Sequence, residues 1–556
     1  MEQLDWIVLI STLVFIVAYG VIKTRSNKDL NQYLKGGNSS NWWTIGLSVM
    51  ATQASAITFL STPGQAFTDG MTFVQFYFGL PLAIILICMV FIPIYHRLKV
   101  YTAYEYLETR FDLKTRTLAA ILFLVQRGLA AGITIYAPSI ILSSVLGWDL
   151  KTLNIIIGLL VIIYTVSGGT KAVSITQKQQ MFVIMIGMFT TFFVIINSFP
   201  NDLNFSKALE VAAIGNKMKI LDFSLDLDTR YTFWSGITGG FFLALSYFGT
   251  DQSQVQRYLS GKSIKESQLG LLFNAAFKIP MQFFILLVGV MVFVFFQFNI
   301  SPIHFNPKAK EIIENNSNIQ FKKINENYDD LNLKKIKLQN DFINSNDNIQ
   351  KSEITNEIKK IHIQENEIRK IAKELIEKEN KSVEINDRDY VFVYFILNFL
   401  PKGLIGLLLA VIISAAMSST ASELNALSAT TVIDLYKRNQ RTIKSKQHYV
   451  NASKWFTFMW GVIAIMFASF GTLFENLIQL VNIIGSIFYG TILGIFLIGF
   501  FFKKINANNV FWAACTSQAL IFLIYGFTDI GYLWLNFIGA FLTIIMSSVL
   551  NHVLKK

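Results

Sequence analysis

The stretch IGLLLAVIISAAMSSTASELNALSA (405–429) decides how the chain is read. Its first ten residues, IGLLLAVIIS, suit a hydrocarbon core, yet Ser418, Ser419, Thr420, Ser422, Glu423 and Ser428 follow in the same run. Lipid offers no partner for a hydroxyl or a carboxylate, so these groups must face protein, water or an ion. The first expectation is a membrane helix with one oxygen-rich face.

Composition agrees. The 556 residues are 53% hydrophobic and 15% charged, where a soluble chain carries about 25% charged residues. Apolar runs of roughly 20 residues cross a core of about 30 Å. Thirteen such runs start near Leu4, Trp43, Phe73, Leu118, Asn154, Met181, Thr232, Leu269, Tyr390, Trp455, Leu473, Val510 and Tyr532. The expected fold class is an all-α integral membrane protein of about 13 transmembrane helices. The opening run MEQLDWIVLISTLVFIVAYG (1–20) has no basic lead or small-residue cleavage site, and reads as a retained first span. The two cysteines, Cys88 and Cys515, imply no disulfide framework.

The net charge of +12 calls for no nucleic acid, because alternate short loops collect the cations. KTRSNKDLNQYLK (23–35), HRLK and TRFDLKTR (within 96–116), RYLSGKSIK (257–265), KRNQRTIKSK (437–446) and FKKIN (502–506) are basic. TDG (68–70) and GWDLK (147–151) are poor in cations. The bias predicts an N-terminus outside and a C-terminus, HVLKK, in the cytoplasm. Between Ser301 and Asp389 the chain turns polar, with Ile354, Ile358, Ile361, Ile368, Ile371 and Leu375 at helical spacing and a turn at NSNDN (344–348). That pattern predicts an outer helical hairpin: a solvated insertion, or a lid or surface for an unknown partner.

Enzymatic chemistry finds no footing. The five histidines lie in loops or at span ends, and no HExxH, CxxC or phosphate-cradling glycine loop occurs. Transport fits better, since interrupted spans free backbone groups for ions and solutes. Two interruptions are expected, at Pro63-Gly64 in MATQASAITFLSTPGQAF (50–67) and in GITGGFFLALSYFG (236–249), with its Gly239-Gly240 and Gly249. Each opens a five-span group. The expected division is 1–42, first helix and loop; 43–198, first repeat; 199–230, outer loop; 231–503, second repeat interrupted by 301–389; and 504–556, two further helices.

Lys278 and Arg127 each lie roughly ten residues into a span, near mid-membrane at about 1.5 Å per residue. A charge there costs roughly 2.5–3.5 kcal/mol, so a partner or a function must compensate. Two cations in one cavity favour an anionic organic solute gripped by Arg127. The competing reading pairs Arg127 with Glu423 or Glu105, or has it snorkel to the interface.

The motifs SAITFLSTPGQAFTDG (55–70), FIPIYHRLKVYTAYEYLETRF (91–111), IYAPSIIL (135–142), YTVSGGTKAV (164–173), TDQSQVQRYLSGKS (250–263) and AAMSSTASELNALSATTVIDLY (415–436) are co-linear. Together they resemble the sodium:solute symporter family across nearly all the chain except 301–389. The wording is most similar to the iodide, monocarboxylate and multivitamin branch, with sodium/glucose cotransporters more distant. The resemblance implies an inverted five-plus-five (LeuT-like) core with discontinuous helices, no cofactor, and sodium as coupling ion. It implies sodium ligands at Ala51, Ala54, Ala415, Ser418 and Ser419, a second sodium near Ser55 and Tyr136, and a solute cavity lined by Gln53, Thr58, Gln75, Tyr77, Tyr247, Phe248, Lys278 and Asn482. Glu423 would sit on the cytoplasmic exit path. Gln177 departs from the family, which often carries an acid there. The implied activity is sodium-driven import across a plasma membrane, a bacterial inner membrane by its Asn/Lys/Ile-rich composition. Alternatives are a neutral sugar or inorganic anion as solute, or a sensor on the same fold.

Overall fold

A computed structural model describes residues 2–24, 34, 36–315, 319–380, 383–442, 444–470 and 476–553. Most of the basic loop 23–35 and the end of HVLKK lie outside them. Among the described residues the chain is helical, with one isolated bridge between Ser40 and Gly261. The helices are α1 (Gln3–Thr24), α2 (Trp42–Gln53), α3 (Ala56–Asp69), α4 (80–98), α5 (Leu113–Leu146), α6 (Leu150–Asn197), α7 (Phe205–Ile214), α8 (Gly240–Gly249), α9 (Gln252–Tyr258) and α10 (Ile264–Phe298). Then follow α11 (Pro307–Asn315), α12 (Ile319–Asn344), α13 (Asn348–Glu379), α14 (Arg388–Phe399), α15 (Leu404–Thr430), α16 (Lys446–Phe470), α17 (Leu477–Phe501), α18 (Ala507–Phe527) and α19 (Tyr532–Val553).

Nine helical runs among the described residues are long and apolar enough to cross a membrane. Shorter apolar stretches at Gln3–Phe15 and Leu150–Ile163 add to them. The two spans expected near Asn154 and Met181 share the single helical segment α6. The span expected from Tyr390 starts later. The apolar text there forms the separate helix α14, and Gly403, at φ +85°, turns the chain before α15 begins at Leu404. Asp5 of α1 caps that start, accepting the amides of Gly403 at 2.6 Å and Gly406 at 3.3 Å.

Both interruptions exist; the first falls away from Pro63-Gly64, and the second falls at Gly249 and not at Gly239-Gly240. Pro63-Gly64 lies inside the continuous helix α3. The pair serves close packing instead: a Cβ on Gly289 of α10 would meet the Pro63 carbonyl at 2.2 Å, and one on Gly64 would meet that of Arg388 at 1.9 Å. Small residues let membrane helices approach this closely. The real break is at Ala54 (φ −86°, ψ 70°) and Ser55 (φ −76°, ψ 177°). Gly239-Gly240 continues from a π-turn (Ser235–Gly239) into α8, and the second break follows Gly249, at Thr250 and Asp251.

The insertion forms the expected antiparallel pair, α12 against α13, turning at 345–347. Ile354, Ile358 and Ile361 are buried as the spacing requires, but Ile371 points outward and the seam passes through Ala372 and Ile376. Lys207 of α7 donates to the Ile343 carbonyl at 3.0 Å, placing the 199–230 segment and the insertion on one face. Arg116 at the start of α5 pairs with Asp434, just past α15 (2.7 Å), and with Glu108 in the loop after α4 (2.7 Å), and Glu108 also pairs with Arg438 (2.6 Å). Arg110 also donates to the Phe502 carbonyl at 3.0 Å, so three basic loops share a face.

Candidate functional site

At the first break the helical ladder lapses. Neither Ser55 nor Ala56 returns a backbone bond to α2, and Thr58 donates to Ser55 at 2.9 Å and not to Ala54. The carbonyls of Ala51 and Ala54 therefore have no helical donor. Oxygens released this way suit a hard cation.

The oxygen-rich face of α15 lies alongside. Most of its hydroxyls are absorbed by their own helix: Ser414 to Ala410 (2.6 Å), Ser419 to Ala415 (2.7 Å), Thr420 to Ala416 (2.9 Å) and Ser422 to Ser418 (3.0 Å). Such back-bonding is the ordinary fate of a hydroxyl in an apolar helix. Ser428 donates instead to the Ser453 carbonyl of α16 at 2.6 Å, while the hydroxyls of Ser418, at mid-helix, and Thr430, at its end, are buried without a hydrogen-bond partner. Gln177 of α6 joins the two elements. It donates to Thr52 and to Ser422, each at 3.1 Å, and accepts from Ser48 at 2.6 Å. An amide fills the position where an acid was expected and spends itself on bridging the broken helix to α15.

The expected solute residues divide. Lys278 is fully buried, its ammonium has no hydrogen-bond partner, and it lies 5.5 Å from the centre of the Tyr77 ring. Thr58 donates to the Gln53 carbonyl at 3.3 Å, while the Gln53 side-chain oxygen is buried and unpartnered. Tyr247 accepts from Gln254 at 2.5 Å and packs on Phe248, ring centres 5.0 Å apart. Gln75 is committed elsewhere. Its amide donates to the Tyr231 carbonyl at 3.1 Å and accepts from the Asp222 amide at 2.9 Å, bracing the 199–230 loop. Asn482 bonds its own helix at Ile478, 2.8 Å away.

Tyr136, expected near a second sodium, donates to Glu384 at 3.3 Å; Tyr390 donates to the same oxygen at 3.1 Å. Burial, then the neighbouring Asp389, pushes the Glu384 carboxyl up to about 8. A cavity of about 530 Å3 lies among Asp69, Thr72, Asp222, Arg230, Arg388 and Gln479, and contains none of the expected solute residues.

Arg127 does not stand alone. Its Nη1 donates to Glu423 at 3.1 Å, and its Nη2 donates to Asp251 and, at 2.5 Å, to Tyr489. Tyr489 in turn donates to Asp251 at 2.8 Å. The pairing with Glu423 is present; Glu105 instead caps its own turn, accepting the amides of Tyr101 (2.8 Å) and Thr102 (3.0 Å). Asp251 and Tyr489 were missed by sequence reasoning. TDQ follows Gly249 directly, and an acid at a broken span was the available signal.

This arrangement, a helical membrane core with two broken helices around buried polar groups, defines a transporter class of fold. A profile of the sodium:solute symporter family matches residues 33–325 and 376–516. The chain belongs to the sodium:solute symporter family. It is 33% identical to the human sodium-coupled monocarboxylate transporter 2 over 274 residues, 48% of this chain and 44% of that protein. The chain thus spans about half the length of the monocarboxylate relatives it matches. Against the sodium/sialic acid symporter SiaT of Proteus mirabilis (strain HI4320) it is 25% identical over 98% of this chain and 94% of that one. A solved structure of a Na+-coupled sialic acid symporter, substrate-bound and outward-open, superposes with a TM-score of 0.76 at 24% identity, covering 99% of this chain and 98% of that one. That likeness shows the fold.

Proposed function

We propose that the protein is a sodium-coupled symporter importing a small organic anion, a carboxylate or an acidic sugar, by alternating access. The observation that carries this reading is the break at Ala54–Ser55, with carbonyls lacking helical donors, held by Gln177 against a helix whose Ser418 hydroxyl is unpartnered. Sodium would be held there by Ala51, Ala54, Ala415, Ser418 and Ser419, joining α2 and α3 to α15 and favouring the outward-open form. A second sodium near Ser55 and Tyr136 is the weaker part of the assignment, because Tyr136 is engaged by Glu384. Each sodium entering down 100 mV releases about 2.3 kcal/mol, enough for roughly a fortyfold solute gradient at one-to-one coupling.

The anionic reading rests on Lys278 and Arg127, with Gln53, Thr58, Tyr77, Tyr247 and Phe248 shaping the cavity. Lys278 Nζ and Arg127 Nε are both buried donors without partners. A neutral sugar, or an inorganic anion, is the second reading, and the two carboxylates already on Arg127 favour the neutral case. The full architecture in this reading is thirteen spans, ten of them an inverted five-plus-five repeat. The N-terminus lies outside, the C-terminus is cytoplasmic, the insertion is on the outer face, and the membrane is a bacterial inner membrane.

The test is a thermal-shift and uptake panel of sialic acid, monocarboxylates, neutral sugars, vitamins and halides, each with and without sodium. Sodium-dependent stabilisation by carboxylates alone is expected; response to neutral sugars alone overturns the anionic reading. Arg127→Gln should weaken carboxylate uptake at least tenfold, and an unchanged apparent affinity counts against Arg127 as the contact.

A further inference from the structure

The second break carries a charge that the sodium reading leaves unused. Asp251 stands between α8 and α9, and its carboxylate is fastened at both ends. Oδ1 caps α9, accepting the Ser253 amide at 2.8 Å and the Ser253 hydroxyl at 2.6 Å. Oδ2 takes Arg127 of α5 and Tyr489 of α17, the latter at 2.8 Å. Four segments thus meet at one buried ion cluster: α5, the α8/α9 break, α15 through Glu423, and α17. Asp251 and Arg127 are 1% and 3% exposed, so neither charge can leave its partner without a replacement.

The guanidinium supplies the route for replacement. Glu423 occupies Nη1, Asp251 shares Nη2 with the Tyr489 hydroxyl, and Nε is buried with no partner. Nε and Nη2 form one edge of the planar fork, the edge that grips a carboxylate bidentately. A carboxylate arriving on that edge finds Nε open and must displace Asp251 from Nη2. The displaced Asp251 retains its cap on α9 but loses its hold on α5.

We propose that Asp251 is the coupling residue of this transporter: it occupies Arg127 as an internal surrogate for the solute carboxylate, and its displacement releases the α8/α9 break from α5. Sodium alone leaves the pair closed and the inner path shut. Tyr489 positions both partners through its single hydroxyl. This rests on the reading of Arg127 as the contact for an anionic solute, and its test includes a measurement that needs no solute.

The full chain is reconstituted in proteoliposomes, and 22Na+ influx is measured under an inside-negative potential with no organic solute, then with sialic acid or lactate as probe. Asp251→Asn should raise solute-free influx at least about fivefold and abolish probe accumulation, and Asp251→Glu should restore both. Solute-free influx equal to the parent's overturns the proposal, whatever happens to uptake. If Asp251→Asn cannot be purified as a single species, Tyr489→Phe, which keeps every charge, should raise the same influx about twofold; no rise overturns the proposal. A parent protein that takes up no carboxylate defeats the anionic reading by itself, while a leak in Asp251→Asn still supports Asp251 as the lock on the inner path.

Discussion

Ser419 donates to the Ala415 carbonyl at 2.7 Å, whereas the hydroxyl of the preceding residue, Ser418, is buried without any partner. Two adjacent serines on one helix therefore differ in what they can offer an ion. Ser419 keeps its lone pairs but is already anchored, and Ser418 has its whole hydrogen-bonding capacity open. A buried, unpaired hydroxyl costs about 1–3 kcal/mol, which a bound cation would repay. Ser418→Ala should raise the sodium concentration for half-maximal uptake at least tenfold, and Ser419→Ala by less. Sodium titrations of both variants decide the matter; equal, small shifts would remove Ser418 from the site.

Gln177 makes three buried hydrogen bonds, to Ser48, Thr52 and Ser422, between 2.6 and 3.1 Å. Replacing it with Leu removes the donor that reaches Thr52 and Ser422 and the acceptor of the Ser48 hydroxyl, and severs the broken helix from α15. Gln177→Leu should cost about 0.5–1.5 kcal/mol for each of the three hydrogen bonds lost, read as a lowered Tm in detergent. It should also weaken sodium binding, because the break would no longer be held against α15. An unchanged Tm would mean the bridge has no mechanical part.

Glu384 introduces a pH dependence outside the spans. Burial first, and then Asp389, raise its carboxyl from the usual 4.5 to about 8, with Tyr136 and Tyr390 bonded to it and Asp387 close by. The folded value lies above the unfolded one, so the fold favours the protonated form. That contribution is complete below about pH 4.5 and is lost as pH rises through about 8. Thermal melts of the parent and of Glu384→Gln from pH 5 to 9 should diverge, the parent losing stability relative to the variant at the alkaline end. Parallel curves would exclude a buried, protonated Glu384.

Much of this was legible from composition, because hydrocarbon dictates span length and strips side chains of alternatives. The positions of the apolar runs follow from that alone. The breaks were harder. Pro63-Gly64 is the louder local signal, yet α3 absorbs it as a packing notch against Gly289 and Arg388, while at the real break only Ser55, at the N-cap of α3, carries a quieter one. Tyr390 began an apolar run that Pro401 and Gly403 divide into two helices. The partners of Arg127 required tertiary structure, since Asp251 lies 124 positions from it in the chain and Tyr489 lies 362. Serines of equal appearance in 418–428 separate only when each hydroxyl is followed to its acceptor.

The insertion contains its own buried charge. Lys335 of α12 and Glu365 of α13 pair at 2.6 Å with side chains 3% and 10% exposed, and Lys335 also donates to Asn332 at 3.2 Å. Removing one partner from such a pair strands the other, at about 3–5 kcal/mol, whereas replacing both with apolar groups of similar volume is often neutral or stabilising. Glu365→Ala should therefore loosen the hairpin, and Lys335→Met with Glu365→Leu should restore it. Hydrogen exchange across 319–379 measures this directly, since the amides of α12 and α13 report the hairpin and not the spans. Faster exchange in the single variant with protection regained in the double one is the expected pattern. If the double variant exchanges as fast as the single one, the pair fixes the register of α12 against α13, and its charge, not its volume, holds the hairpin together.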